Sequence, residues 1–138
     1  MYIFRRLYFL IFNPSPAKGS LSSLDKKERK IWYLFNGDGI FYLTAFHRGR
    51  NLGHCIFTIK DNVLTLGDIF ISERYPKYRN SGIGTKMFQL LIDYGRKNNI
   101  SRIEGDIQPE QSSLWPKLFK FYHSLGCTID GRDFTYYL

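Results

Sequence analysis

Apolar positions in the first third of the chain come in short runs divided by breaks. Leu7 to Phe12 is one such run and reads as a buried strand or the apolar edge of one. It is too short for a signal-peptide core and far too short to span a membrane. Asn13-Pro14-Ser15-Pro16 interrupts the chain, and a loop continues from Lys18 to Ser23. Ser23 is suited to cap a helix from Leu24 to about Phe35, with Ile31, Leu34 and Phe35 as its inner face. Lys26, Lys27, Glu28, Arg29 and Lys30 then form its solvated side, and Asn36-Gly37-Asp38-Gly39 is a turn.

From Ile40 the pattern changes to a period of two. Ile40–Phe46, Cys55–Lys60 and Val63–Ser72 read as strands, joined by turns at Arg48-Gly49-Arg50-Asn51 and Asp61-Asn62. Links this short make neighbouring strands antiparallel. A helix over Gly84–Lys97 follows, because Ile83, Met87, Leu90, Leu91 and Tyr94 recur at helical spacing. Arg96 and Lys97 suit its last turn, and Asn98-Asn99 offers a left-handed stop. Arg102–Ile107 is a strand that a right-handed crossover would lay parallel to Val63–Ser72. Ser112 or Ser113 caps the last helix, Pro116 falls in its first turn, and Leu114, Leu118, Phe121, Tyr122 and Leu125 form its inner stripe. Gly126 ends it. Cys127–Ile129 and Phe134–Leu138 then pair across Asp130-Gly131-Arg132-Asp133.

The chemistry concentrates between Asp68 and Lys97, where a strand, a basic glycine-containing loop and an amphipathic helix follow one another. Gly82 and Gly84 carry no side chains, so backbone N–H groups can close directly on an oxyanion. The start of a helix adds unpaired donors and the positive end of its dipole. Arg74, Lys77 and Arg79 surround the same spot. Physically, this describes a pyrophosphate cradle. The plain alternative is a loop-to-helix connection whose glycines serve close packing.

Arg79, Gly82 and Gly84 stand as Arg-x-x-Gly-x-Gly, which resembles the acetyl-CoA signature of the GCN5-related N-acetyltransferases (GNAT superfamily). A second segment, Phe121-Tyr122-His123-Ser124-Leu125-Gly126, is similar to a run those proteins carry downstream. The likeness spans roughly residues 63–138. It implies an α/β (α+β) fold: a mixed, mostly antiparallel sheet with a central parallel pair splayed around acetyl-CoA, and helices on both faces. Residues 1–138 then form a single domain, with 1–39 a divergent acceptor-side part and 40–138 the core. The resemblance places the pantetheine arm on the strand edge at Ile69, Phe70 and Ile71. It places the phosphates on Arg79, Asn80, Ser81, Gly82, Ile83, Gly84 and Thr85, and gives Tyr122 the role of protonating the departing thiolate. The chain departs from the pattern in a longer stretch from Ile71 to Arg79, in Trp115 where many members carry asparagine, and in its N-terminal third.

The implied reaction is direct acetyl transfer from acetyl-CoA to a primary amine in a ternary complex. The amine must arrive neutral, so a base is needed. Asp68, Glu73, Glu104 and Asp106 lie on or beside the central strands. Glu104 and Asp106 are first choice, because they share a strand face where mutual repulsion would raise one carboxyl.

A net charge of +8 favours anionic partners and leaves three classes open. The first is the enzyme, the second a non-catalytic CoA-binding or sensing module of the same fold, and the third a basic nucleic-acid binder. For the third, the Lys, Arg and aromatic residues are spread along the chain without a nucleic-acid motif. Composition, 43% hydrophobic and 17% aromatic, argues for a globular chain. Two cysteines, Cys55 and Cys127, make no disulfide framework and suggest a reducing, cytoplasmic setting. His47, His54 and His123 have no metal-ligand spacing, so no metal is expected, and no membrane partner is. A homodimer stays open.

Overall fold

Two-residue links between alternating segments dictate a meander, and a computed structural model, describing residues 13–109 and 112–138, contains one. The strand expected at Leu7–Phe12 lies outside the described residues. Five strands come first: β1 (Leu21–Leu24), β2 (Lys30–Asp38), β3 (Ile40–His47), β4 (Arg50–Lys60) and β5 (Val63–Ile71). Helix α1 (Ile83–Lys97), strand β6 (Arg102–Asp106), helix α2 (Trp115–Ser124), β7 (Thr128–Asp130) and β8 (Asp133–Tyr137) follow. The strands hydrogen-bond in the order β1-β2-β3-β4-β5-β6-β8-β7. β5 and β6 are parallel, while β1–β2, β2–β3, β6–β8 and β7–β8 are antiparallel. This is the mixed sheet the sequence led us to expect. Arg48-Gly49 and Asp61-Asn62 all have positive φ, as two-residue hairpin turns require.

The chain forms two compact units. One comprises residues up to Ile56 together with Ile69–Met87, the other Phe57–Asp68 with Phe88–Leu138. The first is built on buried Ile31, Tyr33, Leu43, Ala45, Leu52 and Met87. The second is built on Phe57, Leu64, Phe88, Leu91, Ile103 and Phe134.

The helix expected over Leu24–Phe35 is not formed. Ser23 lies in β1 opposite Ile31, and Trp32 to Asp38 pair residue by residue with β3. Ile31, Leu34 and Phe35 fit a helical spacing, but Ile31 and Tyr33 also alternate. It is this second pattern that is buried, at 0% and 1% exposure. A run of β-branched and aromatic side chains with a partner strand available favours the ladder over local helix propensity. Lys26 to Arg29 are accordingly a turn, not a helix face. The Asp25 carboxylate accepts the Lys27 and Arg29 amides at 3.0 and 2.8 Å, and Glu28 takes φ 61°.

The later helices follow the reading more closely. α1 starts at Ile83, and Asn99 ends it with φ 58°, its neighbour Ile100 donating to the Gly95 carbonyl at 2.9 Å. α2 ends at Gly126 (φ 95°), with the Cys127 amide donating back to the Tyr122 carbonyl at 3.2 Å. Its start differs: Ser112–Leu114 form a 3-10 turn and Leu114, not a serine, occupies the cap position without a side-chain bond. Leu114 is 39% exposed and so does not belong to the inner stripe. Pro116 sits in the first turn as expected.

Gly105 on β6 controls the parallel pair. A Cβ there would lie 2.7 Å from the Leu66 carbonyl oxygen and 2.5 Å from the Phe134 ring. Phe134 is itself stacked on Tyr122 with centroids 4.1 Å apart, so it has little room to yield. Gly105→Ala should cost about 1–3 kcal/mol, as overpacking does. Urea unfolding reads this directly, and an unchanged midpoint would contradict the packing described.

Candidate functional site

In the first unit, β5 ends at Ile71 and the chain reaches α1 through a detour that the sequence suggested by its length. The Ser72 amide donates to the Leu52 carbonyl at 2.8 Å, and Pro76–Tyr78 form a 3-10 turn. Asn80 (φ 54°) and Gly82 (φ 90°) then curl the backbone into the helix. Buried Ser81 ties the curl together by donating its hydroxyl to the Tyr78 carbonyl. Lys86 makes the helical bond to the Gly82 carbonyl at 3.0 Å. The amides of Ile83, Gly84 and Thr85 precede it and have no acceptor one turn back, so they are the helix-start donors. Ile83 is 2% exposed and packs in the core. Arg79, Asn80 and Thr85 are exposed. Arg79 lies 3.2 Å from Glu73, a surface pair worth at most about 1 kcal/mol and easily surrendered to a phosphate. That contact places Glu73, a candidate base, with the loop. At the end of β5, Ile69 and Ile71 are half-buried while Phe70 is 45% exposed.

What holds this loop was not read from the sequence. Arg29, assigned there to a solvated helix face, pairs with Asp25 at 2.8 Å and donates to the Lys77 carbonyl at 3.0 Å. Its guanidinium also lies over the Tyr78 ring, 4.1 Å from the centroid. Buried Tyr78 shares a hydrogen bond with Nδ1 of buried His47. The β1–β2 turn, β3 and the 3-10 turn are thus tied through one guanidinium and one phenol. Only Asp25 and Arg29 are near each other in sequence, and a pair four apart in a charged run carries little signal. Burial alone would raise the Asp25 carboxyl. Hydrogen bonds from the Arg29 backbone and side chain, the Arg29 charge and the Lys27 amide outweigh it and hold the group below its ordinary value. His47 is pushed down by burial first, then by the charges of Arg48, Arg29 and Arg50.

In the second unit the parallel ladder runs from Val63–Arg102 to Leu66–Gly105 and stops there, although β5 continues. Beyond the last pair, Gly67, Asp68, Asp106, Ile107, Gln108, Leu118 and Tyr122 line a small pocket of about 90 Å³. Tyr122 is 5% exposed and face-stacked on Phe134, with Phe88 and Phe121 edge-on. Asp106 accepts the Gln108 amide at 2.7 Å. Glu104 does not line this pocket: it pairs with Arg102 at 3.0 Å and, together with Asp106, Thr65 and Thr135, borders a broader open hollow. The two carboxylates share that hollow, each with a hydrogen-bond partner of its own. The small pocket brings Asp68, Asp106 and Tyr122 together. Phe121 is half-buried, and exposed His123 stacks on Phe119 at 5.8 Å.

Among the described residues no group of three or more His, Cys, Asp or Glu could hold a metal, and no helix is long and apolar enough to cross a membrane. Cys55 and Cys127 are free and buried. Desolvation pushes their thiols up to about 12 and about 11, which keeps them inert.

The His47–Tyr78 tie sets a pH dependence. With the folded-state value of His47 below its ordinary 6.5, the unfolded chain takes up the proton first as pH falls. Stability should be full above pH 6.5 and decline below it towards the folded value. Asp25 acts in a lower window: its contribution is present above 3.8 and lost as pH falls below that. Chemical unfolding between pH 7 and pH 5 should show a decline that His47→Gln flattens. An equal slope in the variant would contradict the role given to His47.

The family model described as "Acetyltransferase (GNAT) family" matches residues 5–126. A search of curated proteins returns no match. Among solved structures, PaiA N-acetyltransferase from Thermoplasma acidophilum, in complex with coenzyme A, is 23% identical with TM-score 0.56 over 70% of this chain. The chain spans 58% of that protein's length. A Bacillus anthracis protein described as a streptothricin acetyltransferase, in complex with acetyl coenzyme A, is 17% identical with TM-score 0.60 over 75% of this chain and 65% of its own. The GNAT domain of S. lividans PAT is 9% identical with TM-score 0.68, covering 91% of this chain and 100% of that domain. These likenesses are of fold. Set beside the family match and the loop that opens α1, they lead to one conclusion: the chain belongs to the GNAT family of acetyltransferases.

Proposed function

We propose that this chain is an acetyl-CoA-dependent N-acetyltransferase that passes the acetyl group to a primary amine by direct attack. The observation that carries the reading is the loop from Arg79 to Thr85. It presents glycine backbone and the first amides of α1 in a chain that the family model matches across that segment. Such a loop binds a diphosphate through backbone donors and the helix dipole, and Arg79 adds charge. The end of β5, Ile69 to Ile71, takes the pantetheine arm. Coenzyme A and acetyl coenzyme A in the Thermoplasma and Bacillus structures support acetyl-CoA as the donor.

In the reaction the amine nitrogen attacks the thioester carbonyl, the carbon–sulfur bond breaks, and the thiolate leaves with the bonding pair. We assign the proton it receives to the Tyr122 hydroxyl. The amine proton goes to a carboxylate, and the pocket lining supports Asp106 with Asp68 beside it over Glu104. We take residues 1–138 to act as one acetyltransferase domain whose N-terminal 39 residues serve the acceptor. Two free, buried thiols support a reducing, cytoplasmic working place.

The test is thiol release from acetyl-CoA against a panel of amines, with wild type and Tyr122→Phe side by side. The substitution keeps the ring stacked on Phe134 and removes the proton donor. Turnover should fall towards the lower end of the roughly 10²–10⁴-fold typical of general acid catalysis, with kcat affected more than KM. Cofactor affinity should be unchanged. Wild-type turnover in the Phe variant would return Tyr122 to a packing role. Tight acetyl-CoA binding without transfer to any amine would leave a binding module.

A further inference from the structure

The β1–β2 turn does more than pin the 3-10 turn through Arg29. The Lys26 amide donates to the Ser81 carbonyl at 2.9 Å, which fixes the Lys26 backbone beside the loop. Its side chain then lies along Gly82: Cγ and Cε are each 3.6 Å from where a Cβ on that glycine would sit, and Cδ is 3.9 Å away. A lysine stem can lie along a neighbouring surface while its ammonium stays in water. Here it is laid across the residue at which the backbone enters the helix. The turn carrying it is held rigid by the Asp25 carboxylate, which accepts the Lys27 and Arg29 amides and the Arg29 side chain. The loop's own cation, Arg79, is shared with Glu73 at 3.2 Å, whereas Lys26 makes no ion pair among the described residues.

We propose that Lys26 is a phosphate-binding residue for the cofactor, its ammonium completing the cradle formed by Gly82 and the first amides of α1. The proposal rests on the reading of this loop as a CoA site. A Cβ at Gly82 would meet the Lys26 stem at ordinary contact distance, so it is the backbone at φ 90° that favours glycine there. Packing and charge separate cleanly in Lys26→Met, which keeps an unbranched stem over Gly82 and deletes the ammonium.

Calorimetry of wild type, Lys26→Met and Lys26→Arg with coenzyme A and with 3′-dephospho-coenzyme A, at low and high salt, tests this. Lys26→Met should bind coenzyme A on the order of tenfold more weakly at low salt, as loss of a charge-assisted contact does. The gap should narrow at high salt, Lys26→Arg should retain most of the affinity, and the unfolding midpoint should not move. An equal loss with the dephospho form assigns the ammonium to the pyrophosphate. A loss confined to coenzyme A assigns it to the 3′-phosphate. Wild-type affinity in Lys26→Met at low salt overturns the proposal while leaving the CoA site intact. A wild-type protein that binds neither ligand overturns the site reading, and this proposal with it.

Discussion

Backbone amides at the start of a helix cannot find acceptors within it, and in this protein those of Ile83, Gly84 and Thr85 come before the first helical bond, from Lys86 to Gly82. Gly82 and Asn80 take left-handed backbone so that the chain can enter α1 at that point. Ser81 is buried and bonded to Tyr78, so the curl is fixed from within. Arg29 then ties the whole segment to the β1–β2 turn by an ion pair, a carbonyl contact and a cation–π contact. Each is modest alone, but Asp25 and Tyr78 bring them to one guanidinium. Because Asp25 is covered and held ionised by those same contacts, losing Arg29 would leave a buried carboxylate without its counter-charge.

In the second unit the corresponding constraint is steric. Gly105 lets β6 lie against Leu66 and the Phe134 ring, and the parallel ladder ends at that residue. Phe134 in turn supports the face of Tyr122, so the ring that lines the pocket is positioned by stacking from the neighbouring strand. Asp68 and Asp106 enter the same pocket because they follow the last paired residues on their strands.

The parts legible in the sequence are those written in local periodicity. α1 and α2, the hairpin at Asp61-Asn62, and the stops at Asn99 and Gly126 each carry a backbone or spacing signal that no distant contact overrides, whereas the turn read as Arg48–Asn51 closes within Arg48-Gly49 and β4 already begins at Arg50. The glycine loop was visible for the same reason. β1 and β2 were not, since Ile31, Leu34 and Phe35 satisfy a helical spacing and only pairing with β3 decides the matter. Nor was the clamp, because Arg29, Lys77, Tyr78 and His47 meet across three segments. The carboxylates show the limit of face arguments. Glu104 and Asp106 alternate on one strand and border one hollow, but only Asp106 also lines the pocket that Tyr122 lines.

The central claim is that the first amides of α1 receive the phosphates of coenzyme A. Amide-resolved NMR of the protein titrated with coenzyme A measures this at the atoms concerned. The account predicts that the amides of Ile83, Gly84 and Thr85 shift most and become protected from exchange as the ligand is added. Coenzyme A binding elsewhere, with those three amides unmoved and still exchanging freely, would contradict it.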